Sequence, residues 1–177
     1  MITGSLVACI CEGAAERAII NKLIDEHKLI FERSDLLDKE VLRCRNAREF
    51  EDRYLGKGFN KIITVFRILD SRREIFNLRA AYKDKVDVIN IITAPEIEML
   101  VIINEDKYAE YSKVKSNTKP SEFCKNQLKM PKVKSTSFVT DYFQNTDILI
   151  AAINKYKTLS KIPKNEKCLV DLLREVK

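Results

Sequence analysis

Short apolar segments that end in an acidic residue restrict the fold of this chain more than any other feature of its sequence. In the first of them, the run LVACIC at residues 6–11 leads into Glu12 and Gly13, and a helical pattern follows. A buried strand of this kind delivers its last side chain to the carboxyl edge of a parallel sheet, where α/β proteins build their sites. Glu16 lies four residues after Glu12, one turn into the predicted helix, so both carboxylates can face the same space.

Three further segments have the composition of strands. They lie at residues 29–31, 61–69 and 86–93, and the last two are rich in β-branched residues. Helical spacing of apolar residues follows each strand in turn, at residues 14–27, 46–54, 72–82 and 96–103. This alternation predicts an α/β fold with a central, mostly parallel four-stranded sheet, TOPRIM-like or Rossmann-like in type, flanked by helices.

The last third of the chain has helical patterns and no strand pattern. Helices are predicted at residues 106–113, 120–128, 146–157 and 166–176. We therefore expect an α/β core over residues 1–104 and a basic helical extension over residues 105–177 that packs on the core. The apolar share of 45% suits a packed core.

The expected location of the protein is the cytoplasm. The chain has no apolar run of about 18 residues, and its N-terminus lacks a signal-peptide pattern, so no membrane association is expected. The five cysteines are scattered, and an odd number without a secretory signal suggests reduced thiols. No CxxC motif is present, which disfavours zinc.

Acidic residues also follow two of the later predicted strands. Asp70 comes directly after residues 61–69, and Glu96 and Glu98 follow residues 86–93. Since parallel strands end at one edge, these three carboxylates are expected near Glu12 and Glu16, where their repulsion favours a bound cation. Mg²⁺ and Mn²⁺ prefer such oxygen ligands. The alternative, which stays open, is that each acid stabilises the N-terminus of the helix that it precedes.

The net charge is +6, and many of the lysines lie after residue 110. A basic half beside an acidic site favours a polyanionic partner, here nucleic acid, although a solvated lysine-rich surface is the alternative. Arg72 and Arg73, two and three residues after Asp70, are placed to clamp a phosphate. The residues predicted to bind nucleic acid are Arg73, Lys113, Lys115, Lys119, Lys125, Lys132 and Lys134.

Two short motifs resemble the TOPRIM fold, the catalytic domain shared by topoisomerases, primases and OLD-type nucleases. They are EGxxE at residues 12–16 and DSR at residues 70–72. The segment TAPEIE at residues 93–98, with an apolar helix behind it, is similar to the Asn-Pro-x-x-Glu segment of RloB-like proteins of bacterial defence loci. The resemblance spans residues 5 to about 104.

This resemblance implies a Mg²⁺- or Mn²⁺-dependent nuclease or phosphodiesterase that acts on nucleic acid in phage defence. Its catalytic residues are then Glu12, Asp70 and Arg72, and its metal ligands are Glu12, Asp70 and Glu98, with Glu16 and Glu96 as further candidates. The family often has Asp where this chain has Arg72, so one ligand is missing. A catalytically degenerate subunit is therefore the alternative.

Partner proteins are also implied by the resemblance. OLD and RloB-like proteins often work with an ATPase, and this chain has no Walker motif. Any ATPase is therefore expected to be a separate subunit, which the degenerate protein would bind in place of cleaving nucleic acid. The sequence leaves the oligomeric state open.

Overall fold

A parallel sheet of three strands, in the order β1-β2-β3, forms the centre of the molecule. The computed structural model describes residues 6–44, 46–56, 61–94, 97–160 and 162–175. The strands are β1 (Leu6–Cys11), β2 (Ile63–Leu69) and β3 (Val86–Ile92). The prediction of an α/β fold with a parallel sheet flanked by helices is thus confirmed, whereas the count of four strands is wrong.

The predicted strand at residues 29–31 is a single bridge. Leu29 pairs antiparallel with Leu173 near the C-terminus, and this segment does not join the sheet. Leu29 and Phe31 are completely buried, and the Phe31 ring stacks on Phe66 of β2 at 5.5 Å. The apolar character of the segment therefore reflects packing against the core rather than strand pairing.

Seven α-helices are seen in the described parts of the chain. The longest two have apolar faces of helical spacing, which are buried against the rest of the core. The second helix continues into a π-helical turn over Glu51–Leu55. The helices are α1 (Ala14–Asp25), α2 (Ala47–Phe50), α3 (Met99–Asn104), α4 (Tyr108–Val114), α5 (Pro120–Asn126), α6 (Thr136–Tyr142) and α7 (Thr146–Leu159).

Both faces of the sheet are covered, as expected for parallel strands. On one face, Cys9 and Phe66 belong to a large apolar cluster that includes residues of α1, α3, α5, α6 and α7. On the other face, Ile10 and Val65 pack with Phe50 of α2 in a smaller cluster. The helices after residue 104 therefore share one core with the sheet. No helix among the described residues has the length and apolar character needed to cross a membrane.

The helix predicted at residues 72–82 is wrong. Residues 71–79, which we name the strap, run without helical structure from β2 to a 3₁₀ turn at Ala80–Tyr82. Side chains in it alternate between partly buried (Glu74, Phe76 and Leu78) and exposed (Ile75, Asn77). This period of two belongs to an extended chain. Phe76 and Leu78 pack against the smaller cluster, which holds the strap across that face of the sheet.

The helix predicted at residues 166–176 is also wrong over its described residues, which hold only a 3₁₀ turn at Leu169–Leu172. Backbone groups on either side of that turn bond to other segments. The Ile92 N–H donates to the carbonyl of Lys167, and the Ile30 N–H donates to the carbonyl of Leu172. Pairing with β3 and with residues 28–30 therefore replaces the helical bonds.

Two smaller differences concern the ends of helices. The helix predicted from residue 96 begins at Met99, and Glu96 and Pro95 lie outside the described residues. Helix α6 has no counterpart among the predicted helices. Its N-terminal signal is Ser135, whose side chain accepts a hydrogen bond from the Phe138 N–H.

Candidate functional site

An acidic cleft of about 290 Å³ lies where β1 and β2 end. Glu12 follows β1, Asp70 follows β2, and Glu16 lies in the first turn of α1. Glu98 and Lys134 complete the charged lining. The structure therefore brings together four of the five predicted metal ligands and one predicted nucleic-acid-binding lysine, while the fifth acid, Glu96, lies outside the described residues.

Gly13 allows the Glu16 carboxylate to fold back over the start of α1. A Cβ atom at position 13 would lie 1.8 Å from Glu16 Oε2 and 2.6 Å from its carboxyl carbon. No real Cβ makes such an approach, so any larger residue here would displace the Glu16 side chain from its position. The glycine of the EGxxE motif thus has a steric role in shaping the cleft.

The carboxylates of this edge differ in their surroundings. Glu98, at the N-cap of α3, is only 5% exposed, whereas Glu12 and Asp70 are exposed at the mouth of the cleft. Partial burial raises the pKa of Glu12, and the neighbouring carboxylates of Glu74 and Asp70 raise it further, against the opposing effect of Arg67. Negative charge is therefore crowded around Glu12, which is the condition under which a cation is attracted.

Arg67 and Glu74 act electrostatically on Glu12 from outside the lining of the cleft, and both were missed in the sequence analysis. Arg67 is 2% exposed in the central strand, and its Nη2 lies 3.1 Å from Glu74 Oε2. Its Nη1 is 3.4 Å from Asn90 Oδ1, and its guanidinium lies 4.7 Å from the centre of the Phe76 ring. The signal that could have revealed Arg67 is a charged residue inside a strand that is otherwise apolar on both faces.

Arg72 does not line the acidic cleft. Its Nε donates to both carboxylate oxygens of Glu166, at 2.8 and 3.0 Å. The hydrogen bonds to Glu166 raise the pKa of Arg72, so the guanidinium stays charged. The Arg72 side chain therefore does not line the cleft formed by Glu12, Asp70 and Glu98, and no observation places it in the predicted catalytic role.

A second, larger cavity of about 720 Å³ adjoins the acidic cleft. Asp70 lines both, and Arg72, Arg73 and Lys115 supply positive charge to the second, which we name the basic cavity. The other lysines predicted to bind nucleic acid are exposed and line neither cavity; they are Lys113, Lys119, Lys125 and Lys132.

The chain's own donors do not form a preassembled metal cage. Within the parts of the chain that are described, no group of three or more His, Cys, Asp or Glu side chains is close enough to hold a metal ion. Mg²⁺ often binds through one or two carboxylates, with water and substrate phosphate completing its coordination. The described side chains therefore do not form a site built from protein ligands alone.

Taken together, the fold and the cleft define an α/β protein with a three-stranded parallel sheet and carboxylates at its carboxyl edge. Comparisons with protein-family models, with curated proteins and with solved structures gave no match.

Proposed function

We propose that this protein is a Mg²⁺- or Mn²⁺-dependent phosphodiesterase that acts on nucleic acid, as the resemblance to TOPRIM nucleases of phage defence implies. The position of Asp70 carries the proposal: this carboxylate lines both the acidic cleft and the basic cavity. A phosphodiester that spans the two would meet carboxylates on one side and cations on the other. Cations and a metal ion placed around a phosphoryl group stabilise the charge that develops during its transfer.

Asp70 and Glu12 are the residues that would hold the metal. They follow neighbouring strands at the same edge, and the pKa of Glu12 is raised by desolvation first and then by the carboxylates of Glu74 and Asp70. Glu98 and Glu16 line the same cleft and would orient water or further ligands. A bound Mg²⁺ supplies charge stabilisation at a phosphoryl oxygen and a more acidic water.

The protein's other residues would bind and orient the substrate. Arg73 and Lys115 line the basic cavity beside Asp70, where they would attract the phosphates. Lys134 lies on the rim of the acidic cleft. Arg67 and Glu74 hold the strap that carries Arg73, so they act as positioning residues.

Calorimetric titration of Mg²⁺ and Mn²⁺ tests the metal site. The wild-type protein should bind, and the Glu12→Gln/Asp70→Asn double variant should not. The matched control is Asp84→Asn/Asp141→Asn, which removes the same charge from two exposed positions outside both cavities. Cleavage of end-labelled DNA and RNA should then require the metal and be lost in the first double variant. Equal metal binding by both double variants contradicts the proposal.

A second candidate is a catalytically degenerate protein that binds nucleic acid or a separate ATPase subunit. The observation in its favour is the Arg72–Glu166 ion pair. Arg72 stands where the nucleases that the chain resembles often have a second acid, and its side chain is held by Glu166. The variant Arg72→Asp/Glu166→Gln places an acid at position 72 and removes the carboxylate of Glu166, which would otherwise repel it. Under this second candidate the wild type neither binds metal nor cleaves, and the variant gains metal affinity. An active wild type excludes it.

A further inference from the structure

We propose that the basic cavity binds one phosphorylated nucleoside, either as a free nucleotide or as the phosphorylated end of a strand. This inference deepens the proposed phosphodiesterase and rests on it for its biological meaning, whereas the binding itself needs no metal. The cavity volume of about 720 Å³ lies within the range of small-molecule sites, roughly 300–1,000 Å³. A single nucleotide fits such a volume, whether it is free or forms the end of a strand.

Two cations in this cavity are available for a phosphate. Arg73 comes from the strap and Lys115 from the end of α4, so they approach from different walls. In the described parts of the chain, neither forms an ion pair with a carboxylate, whereas Arg72 beside them is neutralised by Glu166. The Arg73 N–H donates to Ser71 Oγ at 3.2 Å, which fixes the turn that presents the arginine. Two cations that approach from different walls suit a phosphate monoester.

The remaining lining offers an apolar surface for a base. Tyr108 and Tyr111 lie one turn apart on α4, and Lys115 is the C-cap of that helix. Tyr111 is 3% exposed and packs in the core, so the half-buried Tyr108 is the ring that can meet a base. The Tyr108 hydroxyl donates to the carbonyl of Leu159 at 2.9 Å, which holds its ring in place. The partly exposed Ala94 extends this surface, whereas Met99 is 2% exposed and lies behind it in the core. Aromatic and apolar groups next to a phosphate site suit a nucleobase of any sequence.

The location of the cavity agrees with this role. Asp70 and Ala94 follow the carboxyl ends of β2 and β3, the edge at which open α/β sheets bind their ligands. Asp70 repels the phosphate at the boundary with the acidic cleft, so the phosphate is expected nearer Arg73 and Lys115. A strand held by its terminal nucleotide would then pass its next phosphodiester toward the carboxylates.

Nucleotide binding measured in EDTA tests the proposal. Calorimetry with adenosine monophosphate, adenosine and inorganic phosphate should show the tightest binding for the monophosphate. Arg73→Gln and Lys115→Gln should each weaken that binding about tenfold or more, as expected when a charge-assisted hydrogen bond is lost. The control is Lys83→Gln, which removes the same charge at an exposed position outside both cavities and should leave binding unchanged.

Short oligonucleotides distinguish the two sources of the ligand. Tighter binding of a 5′- or 3′-phosphorylated oligonucleotide than of its unphosphorylated form assigns the cavity to strand ends, and binding of the monophosphate alone assigns it to a free nucleotide. The proposal is overturned if adenosine binds as tightly as its monophosphate, if Lys83→Gln has the same effect as Lys115→Gln, or if no nucleotide binds. Since no metal is present, these failures are separate from failure of the metal site.

Discussion

At the scale of single residues, the Arg67–Glu74 pair joins the sheet to the candidate site. The Arg67 side chain is 3% exposed and that of Glu74 is 28% exposed, so much of the pair is removed from water. Burial lowers the pKa of Arg67, while Glu74 and Glu12 raise it. The cation is therefore stabilised by the same carboxylates whose repulsion it reduces.

Replacing Arg67 alone should be more harmful than replacing both members of the pair. Arg67→Met should lower the free energy of unfolding by about 3 kcal/mol, because it leaves carboxylates near the sheet without their cation. Arg67→Met/Glu74→Gln should recover part of that loss. Urea denaturation measures both, with Arg48→Met, which is exposed on α2, as the control expected to change stability by less than about 0.5 kcal/mol. Equal losses in the single and double variants would show that the charge pairing is not the cause.

At the scale of elements, the strap shows how local sequence and tertiary contacts compete. Its residues form a helical pattern of charged and apolar positions, yet they are extended because three anchors hold them. Glu74 is bound by Arg67, Phe76 packs against Phe50 with 5.9 Å between ring centres, and the Arg79 N–H and Nε donate to Glu51. Since Glu51 is 2% exposed, the last anchor also satisfies a buried carboxylate.

The two neighbours Phe76 and Ile75 test whether these anchors hold the strap. Phe76→Ala should destabilise the fold by about 2–3 kcal/mol, below the usual cost for a buried phenylalanine because the ring is partly exposed. Ile75→Ala should cost less than about 0.5 kcal/mol, since Ile75 is 73% exposed. Thermal and urea unfolding of both variants provides the measurement. A similar cost at both positions would mean that the strap is not held by Phe76.

At the scale of the whole molecule, the helices after residue 104 complete the core that the sheet begins. Helix α6 packs on α1, and α7 packs on α3. Phe143, Leu149 and Ile153 are each 1% exposed or less in the same cluster as Phe66 of β2. The α/β core and the helical extension are therefore not independent in their packing.

A chain that ends at residue 104 should consequently fail to fold cooperatively. Removing α6 and α7 exposes the apolar faces of α1 and α3, which are buried in the complete protein. We expect a broad, non-cooperative thermal transition and strong binding of a hydrophobic dye. Circular dichroism and dye fluorescence compare this fragment with the complete chain. A sharp transition in the fragment would establish that residues 1–104 fold alone.

The C-terminal segment is fastened to the first half of the chain through Glu32. Its carboxylate contacts His27 Nδ1 at 2.7 Å and also forms an ion pair with Arg174. The hydrogen bond to His27 lowers the pKa of Glu32, partial burial opposes this, and Arg174 lowers it further. A lowered carboxyl pKa means that the ionised form stabilises the folded state.

Glu32→Gln should therefore destabilise the protein in a pH-dependent manner. The stabilising contribution is present above the unfolded-state pKa of about 4.5 and is lost as the pH falls through the lower folded-state value. At pH 7 we expect a loss of about 1 kcal/mol or less, which should shrink below pH 4.5. Urea denaturation from pH 3 to pH 7 measures it, with Glu40→Gln, at an exposed position, as the control expected to change stability little at any pH. A loss that does not change with pH would contradict the assignment.

The sequence by itself determined the strands of the sheet and the edge at which the acids meet. The first strand was predicted with its observed bounds, and Glu12, Glu16, Asp70 and Glu98 line one cleft as expected. These features depend on local composition, since a β-branched apolar run forms a buried strand in most contexts and parallel strands share their carboxyl edge.

Only the tertiary structure decided which apolar and charged segments are held in an extended state. The strap, residues 29–31 and the C-terminal segment all take their conformation from partners distant in the chain, such as Glu51 for Arg79 and Lys28 for Arg174. The same is true of Arg72, which pairs with Glu166 across 94 residues. Contacts of this kind outweigh local propensity, which amounts to less than about 1 kcal/mol per residue for most residue types. Because the partners are far apart in the chain, these contacts leave no trace in a short window of sequence.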